Sequence, residues 1–174
     1  RVHKAVNSSI RYIAVISLVA AYIIGATGPE KDYENMIKQA FPYEKLTKVN
    51  DDPVVFEVGA KKGATGNYIV ISEGQGYGGP FVVGVRIQED AKVHQVMLLD
   101  NSETPGFIQK IEDANFPAQF EGKHVGDDFL AGVDIDMVSG ASITTMAGTE
   151  AVRKAAHIAA TQHYGLCQGQ VDHM

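Results

Sequence analysis

The chain has 174 residues, a formal net charge of −6 and 45% hydrophobic residues. That length and apolar content support one domain with a real core. The acidic balance argues against nucleic acid as a partner, because phosphate backbones select basic surfaces. One cysteine, Cys167, excludes an internal disulfide, and no Cys/His spacing reads as a zinc site.

Tyr12 to Gly28 is almost wholly apolar or small, with Arg1, Lys4 and Arg11 before it and Glu30 as the first acid. A span usually needs about 20 residues, and Ser8 to Ile10 extend the run if Arg11 snorkels to the headgroups. Residues 1–28 therefore read as a cytoplasmic N-terminus and a single transmembrane anchor. The preceding positive charge places the main domain outside the cell (inner) membrane. The rivals are a signal peptide cleaved near Gly25-Ala26-Thr27 and a buried helix, which is rarely apolar on every side.

Residues 29–52 read as a juxtamembrane linker. Tyr33, Met36, Ile37, Ala40 and Phe41 give it a short amphipathic helix that ends before Pro42. Residues 53–165 carry the pattern of a folded domain, and 166–174 form a tail. Strands are predicted at Val54–Val58, Tyr68–Ser72, Phe81–Ile87 and Lys92–Leu99, with a glycine-rich connection from Gly74 to Pro80. Four strands in succession make an antiparallel meander. A helix start follows at Ser102 to Pro105, where Ser102 or Thr104 caps and Pro105 suits the first turn. Ile108 and Ile111 give this helix its apolar side.

Phe116 and Phe120 flank Pro117 in a short segment, and Phe129–Val133 is predicted to be extended. A long helix carries Ile143, Ala147, Ala151, Ala155 and Ala159 as an i,i+4 stripe. Its small side chains permit close packing on the sheet. It fades from His163 to Gly165, since glycine suits a C-terminal cap. The fold class is α+β, an antiparallel sheet with packed helices preceded by one N-terminal transmembrane helix.

The chemistry concentrates where loop turns into helix, in Asp136-Met137-Val138-Ser139-Gly140-Ala141-Ser142-Ile143-Thr144-Thr145. Unpaired amides and the positive dipole end favour a phosphate there, and the same place offers hydroxyls to esterify. Gly140 and Ala141 leave the approach open. Asp136 either bonds loop amides or holds a metal while a cofactor is installed, as Mg²⁺ does between carboxylate and phosphate. The plain alternative for Ser142 is an N-cap.

Asp136-x-x-Ser139-Gly140-Ala141-Ser142 resembles the flavinylation motif of FMN-binding domains, in which FMN is joined through its phosphate to the last hydroxyl residue. Gly76-Tyr77-Gly78-Gly79-Pro80-Phe81, Ser102-Glu103-Thr104-Pro105-Gly106 and Phe116-x-x-Gln119-Phe120-x-Gly122-Lys123 resemble further family segments, in family order. With the N-terminal span, the set is similar to the small flavoprotein subunits of Rnf-type electron-transport complexes and to their relatives in sodium-translocating NADH:quinone reductases.

The resemblance implies covalent FMN on Ser142, within a motif of Asp136, Ser139, Gly140 and Ala141. A separate Mg²⁺-dependent flavin transferase would read that motif and take FMN from FAD. It also implies Thr144 and Thr145 near the phosphate, and Glu103 and Thr104 facing the ring on a loop shaped by Pro105 and Gly106. Tyr77 and Lys123 are further contacts on the same basis, against plain readings as a turn before an edge strand and a solvated lysine.

The implied role is electron relay within an ion-translocating redox complex, with no catalytic residue of the chain's own. The implied partners are flavin, iron–sulfur or haem subunits and the lipid bilayer. The family usually has threonine where Ser142 stands, which keeps open a docking or assembly module without flavin. A third reading is a stand-alone anchored flavin reductase, marked by activity in isolation.

Overall fold

The computed structural model describes residues 32–40, 45–59 and 66–165. The chain divides into two compact units, Arg1–Tyr33 and Glu34–Met174. The described residues belong to the second unit, apart from Asp32 and Tyr33. The apolar run Tyr12–Gly28 and the tail 166–174 lie outside the described residues. Among those described, no helix is long and apolar enough to cross a membrane.

Helix α1 spans Tyr33–Ala40, at the position expected from its amphipathic spacing. Glu34 and Lys38 pair one turn apart on its surface, and Ile37 is buried. The sheet follows as β1 (Leu46–Asp51), β2 (Val54–Val58), β3 (Tyr68–Gln75), β4 (Pro80–Ile87) and β5 (Val93–Asn101). Its order is β1-β2-β3-β4-β5, antiparallel throughout. The meander thus has one strand more than the hydrophobic alternation indicates. Strand β1 sits at the sheet edge, carries Lys48, Asn50 and Asp51, and is interrupted by a bulge. Edge strands tolerate such polar residues because one side of the ladder meets water.

Helix α2 spans Pro105–Asp113, a 3₁₀ helix spans Phe116–Phe120, and α3 spans Ser142–Gln162. Strand side chains alternate between faces, and Val55, Val70, Val83 and Val85 point to the face that α3 covers. Ala147, Ala151, Ala155 and Ala159 meet them from the helix, all buried. The approach is close. Ser72 donates its hydroxyl to the Ala151 carbonyl, and a Cβ added at Gly74 would overlap the Ala147 carbonyl oxygen.

Ile143 departs from the predicted stripe, being 46% exposed. A strict i,i+4 row drifts by about 40° per step around a helix of 3.6 residues per turn, so its first member leaves the core face. The far end of α3 behaves as expected, with His163 at the C-cap and Gly165 at φ +68°.

The segment Phe129–Val133 is not extended. Phe129 is buried with φ +48°, and the Leu130 carbonyl accepts the amides of Val133, Asp134 and Ile135. This is a tight turn that tucks Phe129 beside Phe120. Apolar content alone could not distinguish an anchoring ring in a turn from a strand.

Candidate functional site

Asp136 to Ala141 is a loop leading into the first turn of α3. Gly140 has φ +73°, and Ala141 is the N-cap with no side-chain cap bond. Ser142 is therefore the first helical residue and does not serve as the cap. Its side chain is exposed and its hydroxyl makes no hydrogen bond among the described residues. Thr145 braces the turn instead. Its buried hydroxyl donates to the Ala141 carbonyl (2.9 Å) and accepts the Val138 amide (3.2 Å).

The Thr145 amide donates to the Ala141 carbonyl at 2.8 Å. The amides of Ser142, Ile143 and Thr144 remain as the unbonded donors of the helix start. Thr144 is 1% exposed. Of the three hydroxyl residues Ser142, Thr144 and Thr145, Ser142 alone is exposed.

A second group of residues lies across the α2 start. Glu103, 8% exposed, turns its carboxylate into the glycine turn between β3 and β4. It accepts the Tyr77 amide at 2.7 Å and the Gly78 amide at 3.3 Å. Cβ atoms at Gly76 and Gly78 would overlap Glu103 and the Ser102 carbonyl, so this turn excludes side chains. The turn enters β4, an interior strand, and not an edge strand. Tyr77 is left 70% exposed, edge-on to Phe107 of α2 at 6.3 Å between ring centroids. Lys110 lies over the Phe107 ring at 6.0 Å and donates to the Gly140 carbonyl at 3.2 Å. A chain of contacts thus links Glu103 and Tyr77 to the loop that carries Ser142.

The remaining candidates are distributed as follows. Thr104 is the N-cap residue of α2 and makes no side-chain cap bond; Pro105 begins the helix. Gly106 faces open space, since a Cβ there would meet nothing within 4 Å. Ser139 is exposed. The Asp136 carboxylate bonds no loop amide; its backbone is held instead. The Gln119 side chain accepts the Asp136 amide (2.6 Å) and donates to the Asp136 carbonyl (3.4 Å). Lys123 is not a solvated lysine: its ammonium lies 3.5 Å from Asp134, both side chains being partly buried. Among the described residues, no cluster of three or more His, Cys, Asp or Glu side chains could hold a metal.

Gln119 and Lys110 are the site-forming residues that sequence reasoning did not assign. Gln119 stands inside a quoted family segment. Lys110 had no signal beyond being a basic residue near the end of α2.

Residues 76–157 match the family model of the FMN-binding domain. The matched span runs from the glycine turn through α2 and the Ser142 loop into α3. Over that span the chain is similar to FMN-binding domains. No curated protein matches the chain. The residues present fit a flavin phosphate in that Ser142 offers an exposed, unengaged hydroxyl at a helix start.

Proposed function

We propose that this chain is a membrane-anchored electron carrier with FMN attached to Ser142 through a phosphoester, serving an Rnf- or Nqr-type ion-translocating complex. The observation that carries the reading is the Ser142 hydroxyl, exposed at the first position of α3 and engaged in no cap. A residue retained only as an N-cap would spend its oxygen on a helix amide.

Attachment forms one bond, from Ser142 Oγ to the flavin-side phosphorus of FAD. It breaks the anhydride bond to AMP, which leaves, while the hydroxyl proton passes to a base of the transferase. Asp136 stands exposed at the head of the motif, where a transferase-bound Mg²⁺ can reach it. Once attached, the flavin supplies one- and two-electron transfer. Ser142, the adjoining amides and Thr144 would hold the phosphate, and the Tyr77–Phe107 aromatic pair is linked to the same loop through Lys110. The coupling to ion movement would reside in neighbouring subunits, and the Tyr12–Gly28 run would hold the domain at the outer face of the membrane.

Mass spectrometry of the chain produced with a flavin transferase tests this. The expected result is FMN less one water on the peptide containing Ser142, absent from Ser142→Ala. An unmodified Ser142 peptide, from cells that flavinylate a control protein, would favour the docking module instead.

A further inference from the structure

We infer that Lys110 is a cation that neutralises the phosphodiester on Ser142. The inference rests on the flavin reading above and extends it to a residue outside the motif.

Lys38, Lys48, Lys92, Lys123 and Lys154 each lie within ion-pair distance of a carboxylate. Among the described residues Lys110, like Lys45, has no carboxylate within ion-pair distance. Its ammonium donates to a neutral carbonyl, Gly140 O, at 3.2 Å, and its stem crosses the Phe107 ring. An ammonium has three protons to donate, and one carbonyl leaves two of them for another acceptor. The carbonyl it reaches belongs to the residue two before Ser142.

Gly140 is required by its backbone, since φ +73° disfavours a side chain. A Cβ there would stand 2.5 Å from Lys110 Nζ, the mobile tip of the lysine, so the two lie in direct proximity. A phosphodiester keeps one negative charge at neutral pH. Lys110 would add a full countercharge to the partial positive charge of the α3 amides. The ammonium is exposed, so the pair acts in high dielectric and its effect is modest and sensitive to salt.

The test uses the full chain produced with a flavin transferase as wild type, Lys110→Met, Lys110→Gln and Lys110→Arg. Flavinylation under limiting transferase is followed by intact mass, and Tm is compared before and after modification. The unmodified variants should melt with wild type, because an exposed lysine bonded to one carbonyl contributes little. Lys110→Met and Lys110→Gln should flavinylate up to about fivefold more slowly. They should also lose most of the Tm increment that modification gives wild type, and Lys110→Arg should restore both. Added salt should shrink the increment in wild type and leave Lys110→Met unmoved. Equal rates and equal increments in all four proteins would overturn the inference while leaving the flavin reading intact. A wild-type chain that stays unmodified beside a flavinylated control would overturn both.

Discussion

A primary amide can imitate a strand, offering one acceptor and one donor side by side, and Gln119 uses both on the backbone of Asp136. This clamp fixes where the motif loop begins relative to the 3₁₀ helix. Gln119→Ala should cost about 1 kcal/mol of stability, because the freed backbone groups are near water. Its effect on flavinylation should be larger than that loss of folded protein explains, since Asp136 and Ser139 lose their register. A time course of modification beside a urea titration separates the two, and equal slowing of a Gln119→Ala and a stability-matched control would leave the clamp a purely structural role.

Glu103 shows the limit of reading at this scale. Its place in the loop before α2 was legible, but the direction of its side chain was not. The resemblance implies a carboxylate facing the ring. The structure adds that the carboxylate accepts two amides of the glycine turn between β3 and β4, backbone partners that carry no residue signature. Lys110 was invisible for the same reason: its partner is thirty residues away and is a carbonyl, which no residue type announces.

Elements with one-sided apolar periodicity could be read from the sequence, and those defined by their neighbours could not. Strands β2 to β5 and helix α3 alternate or repeat strongly enough to be placed, whereas β1 takes its identity from hydrogen bonds to β2. The packing of α3 on the sheet could be anticipated from its alanines, but the point of closest approach could not. That point is Gly74, where β3 runs against the carbonyl of Ala147. Gly74→Ala should destabilise the domain by about 1–3 kcal/mol, since helix and strand must separate to admit one methyl group. Gly106→Ala should be neutral or slightly stabilising in the unmodified protein, because its Cβ would meet open space in a helical turn. Urea midpoints at constant m-value check both.

At the scale of the whole domain, the C-terminal end of α3 is tied to the far end of the sheet. Tyr164 Oη lies 2.6 Å from the Gly66 carbonyl and 2.7 Å from that of Gln88. His163 stacks on Tyr68 at 4.2 Å, and its Nε2 is buried without a partner among the described residues. Burial lowers the His163 pKa below its ordinary 6.5, with Glu57 opposing the shift. Burial also raises those of Tyr164 and Tyr68. The folded protein therefore resists taking up a proton that the unfolded chain accepts below about pH 6.5. Stability from this corner is full above that pH and is lost as the pH falls toward the lowered value. Thermal melts between about pH 7.5 and about pH 5 should show the loss in wild type. His163→Phe, which keeps a ring on Tyr68, should flatten it. The N-terminal run shows how far hydropathy reaches: it argues for a span from composition alone, whereas the α3 corner emerges only once the chain is folded.

The exposure of Ser142 carries a consequence for the order of events in the life of the protein. Val138, Ala141, Thr144 and Thr145 are buried around it while its own hydroxyl stays outside. The target is thus displayed by the finished fold and would be scattered in an unfolded chain. Under the proposed attachment, folding and cofactor loading would be separable stages, with the colourless folded domain as a storable precursor. A modifying enzyme that grips this shape would then act as an inspector, loading only those copies whose core has closed.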